Sequence, residues 1–353
     1  MAIKVAVNGY GTIGKRIADS LRRLGDFEVV GVSKYTPDYE ALVAMRKGFK
    51  VFVPREKVEA FRKIGVEPEG YVDYLLEEAE LIYDASPGGY GAKNRELYTK
   101  LRKPAIFQGG ENSSVADVSF STLCNYSEAI GKKYVRVVSC NTTGLLRTIC
   151  SLEELGVKRV FGVIIRRGSD PKEDKRGPIN SIKLDPPAIP SHHAVDAKTV
   201  VGWLNIDTVA VAVPTTLMHT HVLEIELEKI SLENITTALM KSGRITLAPS
   251  SLLGLDSTSQ LVELSRDLGR ERYDIYETVV FGDTLSVKEG RLYLVQAVHQ
   301  ESIVIPENVD AGYAVMNLET DPAKVVEKVN RALGIGALGQ AWGLYRSSSN
   351  KKE

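Results

Sequence analysis

A chain of 353 residues is long for one ordinary domain, and its length favours two. With 43% hydrophobic and 25% charged residues it has the composition of a folded protein, not of a disordered one. Lys and Arg number 45 and so do Asp and Glu, so a net charge of zero gives no bulk electrostatic case for nucleic acid or an anionic membrane as the main partner. Cys124, Cys140 and Cys150 are too few, and odd in number, for a secreted disulfide framework. A strand candidate begins at Ile3, which leaves no room for a signal peptide. No apolar run approaches the roughly 18 residues of a membrane span. These features together predict a cytoplasmic, two-lobed protein.

In chain order, Ile3–Val7 reads as a strand. Ile13, Ile17, Leu21 and Leu24 then recur at helical spacing, with Lys15, Arg16, Arg22 and Arg23 between them. Strand 28–32, helix 38–46, strand 50–53, helix 56–64, strand 81–85, helix 92–101 and strands 105–107 and 134–138 follow. Strands alternating with helices predict a parallel sheet with right-handed crossovers. The pattern changes after Cys140. A helix is predicted over 143–155. In the segment 222–228, Leu223, Ile225 and Leu227 alternate with Glu224, Glu226 and Glu228, as in a strand with one wet face. Segments 209–213, 277–281 and 292–297 behave alike, so this region reads as α+β with an antiparallel sheet. A Pro-rich stretch over 168–196 reads as a long functional loop. A last amphipathic helix spans 323–333, and 347–353 is a polar tail.

Gly9-Tyr10-Gly11-Thr12-Ile13-Gly14 directly follows the first strand and opens a helix. In such a turn Gly9 permits the bend, Gly11 lets the backbone approach a pyrophosphate, and Gly14 lets the helix pack against the strand. The helix N-terminus then offers N–H groups and a positive dipole end to the phosphates. The second strand ends in Ser33-Lys34-Tyr35-Thr36, without the carboxylate that commonly binds a ribose 2′-hydroxyl. Ser33, Thr36 and Lys34 suit a 2′-phosphate, so NADP is expected to bind, with NAD also accepted.

Ser139-Cys140-Asn141-Thr142-Thr143-Gly144 lies at a strand-to-helix junction, where a helix N-terminus favours a thiolate. The Cys140 N–H and Asn141 could serve an oxyanion. A nucleophilic cysteine needs a base, and the candidates are His192, His193, His219, His221 and His299. His219 and His221 would share a strand face, but no further ligand set accompanies them, so no metal is expected. Arg166 and Arg167 are natural phosphate ligands, since guanidinium forks match phosphate oxygens.

These residues converge. The chain resembles archaeal-type glyceraldehyde-3-phosphate dehydrogenase over essentially its full length. The resemblance is carried by Asn8 to Arg16, Gln108-Gly109-Gly110-Glu111, Ser139 to Gly144, Pro190-Ser191-His192-His193, Met218-His219 and His299-Gln300-Glu301-Ser302. The bacterial and eukaryotic branch has Ser-Cys-Thr-Thr-Asn at the nucleophile, whereas here Asn follows Cys directly. The resemblance implies a Rossmann-type α/β cofactor domain over residues 1–139 plus about 303–353, and an α+β catalytic domain over 140–302. It implies Cys140 as nucleophile and His219 as base. Gly11, Thr12, Ile13, Gly110, Arg167 and Gln300 are the implied cofactor contacts, joining Gly9, Gly14, Ser33 and Lys34 from the motifs. Ser139, Asn141, His192 and His193 are the implied substrate contacts, with Arg166 or Arg167 on the substrate phosphate. The substrates would be glyceraldehyde 3-phosphate and inorganic phosphate, and the assembly a homotetramer. A semialdehyde dehydrogenase of the same architecture and a non-catalytic NAD(P) sensor are the rival readings. A Cys124–Cys150 disulfide is a further expectation.

Overall fold

A computed structural model describes residues 1–169 and 177–341. Its elements run β1 (Ile3–Asn8), α1 (Gly14–Leu21), β2 (Phe27–Ser33), α2 (Tyr39–Arg46), β3 (Val51–Val53), α3 (Val58–Lys63), β4 (Gly70–Tyr71), α4 (Val72–Glu78), β5 (Leu81–Asp84), α5 (Gly91–Lys100), β6 (Ala105–Phe107), β7 (Val118–Phe120), α6 (Thr122–Asn125) and β8 (Tyr134–Val137). Next come α7 (Cys140–Ser151), β9 (Val157–Arg167), β10 (Lys183–Leu184), α8 (His192–Lys198), β11 (Ile206–Val213), β12 (His219–Leu227), α9 (Leu232–Met240), β13 (Ile245–Ala248), α10 (Ser250–Leu253) and α11 (Thr258–Asp267). The chain ends through β14 (Thr278–Phe281), β15 (Ser286–Lys288), β16 (Arg291–Val298), α12 (Val304–Val315), α13 (Pro322–Leu333) and α14 (Ala337–Ala341). It divides into two units, Met1–Ser139 with Val304–Leu333, and Cys140–Ile303 with Gly334 onward.

The first unit is an α/β layer around one parallel sheet of order β4-β3-β2-β1-β5-β6-β8-β7. Each strand pairs in parallel with its neighbours. The strands are short, apolar and buried on both faces, as in β1, β5 and β6, because helices cover the sheet. Ala6, Phe52, Leu75, Ile82, Tyr98 and Phe107 belong to its core. The chain lays β2, β3 and β4 outward on one side of β1, then returns with β5 on the other. A ligand is held outside the carboxyl ends of the strands at such a reversal, and Gly9 emerges from β1 there.

The second unit is built on a sheet of order β10-β11-β9-β12-β16-β14-β13, with β15 added against β16. Strands β9, β12, β16 and β14 run antiparallel in turn, but β11 is parallel to β9 and β13 is parallel to β14. The sheet is therefore mixed, which corrects the expectation of an antiparallel one. Alternating burial along β11 and β12 reports one covered face, not strand direction. Met218, Ala248, Leu261, Val279, Phe281 and Ala297 belong to the core of this unit.

Three boundaries depart from the sequence reading. Helix α7 starts at Cys140, not at residue 143. The long loop is interrupted by β10 and closes at α8, which begins at His192. Its residues Pro171, Lys172, Lys175 and Arg176, like the tail 347–353, lie outside the described residues. The segment after Leu333 goes with the second unit: Arg270 donates to the Gly334 carbonyl at 3.0 Å, and the Gly336 N–H donates to Glu277 at 2.8 Å.

Candidate active site

The glycine turn of the first unit is shaped by backbone contacts. Gly9 has φ +112°, and a Cβ there would meet the Ala85 carbonyl oxygen at 2.6 Å. A Cβ on Gly14 would lie 1.8 Å from the Gly9 carbonyl oxygen. A Cβ on Gly11 would meet nothing within 4 Å. Two glycines are thus required by the protein's own packing, and the third keeps space open beside Thr12 and Ile13 at the start of α1. This cradle fits the pyrophosphate of a dinucleotide. Gly110, which faces open space too, follows Gly109, where a Cβ would collide with the Ser139 nitrogen at 2.2 Å.

The end of β2 differs from its sequence reading. Ser33 is fully buried, accepts the Gly9 N–H at 2.9 Å and donates to Asn8 Oδ1 at 2.7 Å. Its hydroxyl braces the turn and is not an open donor to a 2′-phosphate. Lys34 is 7% exposed, and its ammonium meets Glu40 at 2.7 Å and Asp38 at 3.0 Å. Lys15 also reaches Glu40, at 3.0 Å. Carboxylates are therefore present at this edge, supplied by the start of α2. The expected free positive charge of Lys34 is neutralised.

In the second unit, Cys140 is the first residue of α7 and the free cysteine among the described residues. Cys124 and Cys150 are each disulfide-bonded. Helix α7 is fixed from within its unit: Arg147 donates to the carbonyls of Tyr276 (2.6 Å) and Ile303 (2.9 Å), and Thr142 donates to Asp196 of α8 (2.7 Å). Burial pushes the Cys140 thiol up from its ordinary value, opposed by the charges of Arg166 and Arg167 and by the N–H groups of Asn141 and Cys140. The helix start does favour the thiolate, as the sequence suggested, but desolvation outweighs it.

His219 opens β12 with Nε2 3.6 Å from the Cys140 sulfur. Met218 takes a left-handed conformation, φ +63°, immediately ahead of β12, which pairs with β9. There the Arg167 backbone N–H donates to His219 Nδ1 at 2.9 Å. With Nδ1 accepting, the neutral ring carries its proton on Nε2, aimed at sulfur. In this arrangement it donates toward sulfur, whereas the expected base for the Cys140 proton needs Nε2 bare. Burial first, then Arg167 and Arg166, lower its pKa well below the ordinary histidine value, so the doubly protonated ring is disfavoured too.

The two arginines at the end of β9 are unlike. Arg167 is buried, donates through Nε to Gln300 and through Nη1 to the Ser169 carbonyl (2.7 Å), and lies 3.6 Å from Glu301. Arg166 is partly exposed and paired with Asp185, while its buried Nε has no partner among the described residues. Its charge lowers the pKa of His192 and His193, behind burial in each case.

The second unit thus brings together Cys140, Asn141, His193, His219 and the Arg167 backbone. Asn141 joins His193 (3.2 Å) and His221 (2.9 Å), and the rings of His192 and His193 are 3.9 Å apart. His221, one of the candidate bases, enters the cluster through Asn141, while Gln296 beside it, Asp185 beside Arg166 and Glu301 beside Arg167 are brought near only by the fold. Alternation along β12 puts His221 on the same face as His219, which was the one available signal. No group of three His, Cys, Asp or Glu among the described residues could hold a metal ion, and no described helix is long and apolar enough to cross a membrane.

Comparison with known proteins bears on what this geometry is for. The family model described as glyceraldehyde 3-phosphate dehydrogenase, C-terminal domain, matches residues 139–272. A protein named glyceraldehyde-3-phosphate dehydrogenase from Metallosphaera sedula is 50% identical over 95% of this chain and 98% of its own length. One of the same name from Hyperthermus butylicus is 51% identical over 94% and 97%. Another, from Sulfolobus acidocaldarius, is 47% identical over 95% and 98%.

Proposed function

The chain belongs to the glyceraldehyde-3-phosphate dehydrogenase family, and from that premise we propose that it oxidises glyceraldehyde 3-phosphate, with inorganic phosphate, to 1,3-bisphosphoglycerate. The observation that carries this reading is the 3.6 Å approach of His219 Nε2 to the sulfur of Cys140, the free cysteine among the described residues.

Residues 1–139 with the returning helices form the dinucleotide-binding domain, and the unit that begins at Cys140 forms the catalytic domain. Gly9, Gly11, Thr12, Ile13 and Gly14 hold the pyrophosphate, and Gly110, Arg167 and Gln300 are further cofactor contacts. When bound, the nicotinamide supplies the hydride acceptor that turns a hemithioacetal on Cys140 into a thioester. The balanced charge at Lys34, Lys15, Asp38 and Glu40 supports use of NAD as well as NADP.

The protein's own residues do the rest. The Cys140 proton passes to water, and the thiolate attacks the aldehyde carbon. The former carbonyl oxygen takes the negative charge and is held by N–H donors: His219 Nε2, the Asn141 amide and the start of α7. Phosphate later attacks the thioester carbon, the acyl phosphate leaves, and the Cys140 thiolate is restored. Arg167 is already engaged by Gln300, Glu301 and Ser169, so Arg166, whose Nε has no partner among the described residues, is assigned to the substrate phosphate. Ser139 and His192 complete the substrate contacts, and the expected contact from His193 is indirect, since its two ring nitrogens are taken by Asn141 and Ser191. A homotetramer working in the cytoplasm is part of this reading. The exposed Ile179, Ile182, Leu184 and Ile189 support self-association, since an apolar run of this kind is commonly covered.

The test is reduction of NAD and NADP, side by side, with glyceraldehyde 3-phosphate, plus and minus phosphate. Turnover that depends on phosphate is expected. Turnover of aspartate semialdehyde instead, or none with either aldehyde, would overturn the proposal.

A further inference from the structure

We propose that His221 and Gln296 are positioning residues for the reaction at Cys140, holding the Asn141 side-chain amide in one orientation with its N–H₂ end available to the substrate oxygen. This rests on the function proposed above.

The starting point is a group that cannot reverse. The Gly144 carbonyl, inside α7, only accepts, and Gln296 Nε2 lies 3.0 Å from it. That fixes which end of the Gln296 amide faces the helix. Its oxygen then accepts the Thr148 hydroxyl at 2.6 Å. The second hydrogen on Gln296 Nε2 goes to His221 Nδ1 at 3.1 Å. His221 Nδ1 is therefore bare, and Nε2 carries the ring proton. His221 Nε2 lies 2.9 Å from Asn141 Oδ1 and donates to it. The Asn141 oxygen is thereby pinned toward β12, and its nitrogen faces His193 Nε2 at 3.2 Å. His193 accepts there and presents Nδ1–H to the Ser191 hydroxyl at 3.1 Å, which meets Thr208 at 2.7 Å.

Every member of this chain is buried to within 2% of full burial: Asn141, Thr148, Ser191, His193, Thr208, His221 and Gln296. Burial takes His221 down to about 3 and His193 to about 2. Both rings stay neutral at neutral pH, so the donor order does not reverse with ordinary changes of pH. The approach of His221 to α7 needs a missing side chain: a Cβ on Gly144 would meet His221 Cε1 at 3.3 Å and Val298 at 2.5 Å.

One hydrogen of the Asn141 amide is used on His193. The other has no acceptor among the described residues. Asn141 adjoins the nucleophile, so this hydrogen suits an oxygen that becomes negative on Cys140. A flipped amide would present its own oxygen there and repel that charge. Gln296 and His221 touch neither substrate nor sulfur; they act through Asn141.

The experiment has two arms on the intact protein. In the first, ¹⁵N NMR of histidine-labelled wild type reads the His221 tautomer between pH 6 and 8, with His221→Phe assigning the resonance. A bare Nδ1 with a protonated Nε2 is expected, and a proton on Nδ1 would overturn the proposal. In the second, Gln296→Met and His221→Phe are compared with wild type for kcat, KM and Cys140 alkylation by iodoacetamide. We expect kcat to fall about 10- to 100-fold, with the alkylation rate within about twofold and partial recovery of kcat in His221→Gln. Folded variants with unchanged kcat would refute the positioning role. Failure of wild type to turn over the aldehyde at all would instead remove the underlying function, while leaving the tautomer measurement valid.

Discussion

The two clusters are built by opposite means. The cradle of the first unit is backbone: a turn of six consecutive residues in which Gly9 and Gly14 are set by collisions with the Ala85 and Gly9 carbonyls, and Gly11 by open space. The cluster of the second unit is side chains, drawn from α7, β9, α8, β12 and β16, and aimed by hydrogen bonds to groups far apart in sequence. A backbone site tolerates most side-chain changes and fails when a Cβ is added. A side-chain site fails when one hydrogen-bonding atom is lost.

The largest effect is expected on the side-chain cluster. Cys140→Ser should lower phosphate-dependent turnover by about three orders of magnitude or more, while cofactor affinity, read by fluorescence titration, stays near wild type. A comparable loss from a side-chain change anywhere in the glycine turn other than at a glycine would break the comparison.

The cradle should separate its glycines. Gly14→Ala places a methyl against a carbonyl oxygen that cannot yield, and should cost about 3 kcal/mol or more of stability, read by denaturant unfolding, with cofactor binding lost. Gly11→Ala meets open space and should leave the unfolding midpoint unchanged while weakening cofactor binding. Equal effects at both positions would show that the open space at Gly11 is not used.

Acid should damage the second unit through its histidines. His193, His219 and His221 all bind protons more weakly folded than unfolded. Their contribution is complete above the unfolded value of about 6.5 and is lost as pH falls toward the folded values. Each histidine should then cost about 1.4 kcal/mol per pH unit below about pH 5.5. Unfolding midpoints measured from pH 7 to 4 should fall steeply with proton uptake, and His221→Phe should reduce the slope by about one proton. A midpoint flat down to pH 4 would contradict the buried, neutral assignment.

The smallest effect belongs to the charge balance beside the cradle. Glu40→Gln releases Lys15 and Lys34 from a carboxylate that both share. It should raise affinity for NADP relative to NAD by about tenfold, read by calorimetry with each cofactor. An unchanged ratio would mean these lysines do not face the ribose.

The same contrast explains what the sequence disclosed. The cradle was legible because its parts are contiguous and each glycine has a local reason. Cys140 was legible because a strand, a short turn and a helix bracket it. Arg166 and Arg167 stood out as a pair, but their division of labour depends on Asp185, Gln300 and Glu301, which only the fold brings near. The proton on His219 was not readable at all, since it is set by a backbone N–H of residue 167. Lys34 misled for the same reason: no carboxylate follows β2 at once, and the first turn of α2 brings Glu40 back to it. Strand direction in the second sheet was likewise invisible, because alternation reports faces only.

The most direct test of the account is the covalent step at Cys140. Protein mixed with glyceraldehyde 3-phosphate and oxidised cofactor, without inorganic phosphate, should give a rapid burst of about one reduced nicotinamide per chain. Mass spectrometry of the quenched protein should find a 3-phosphoglyceroyl thioester on Cys140, released when phosphate is added. No burst, or a burst with the acyl group on any other residue, would contradict it.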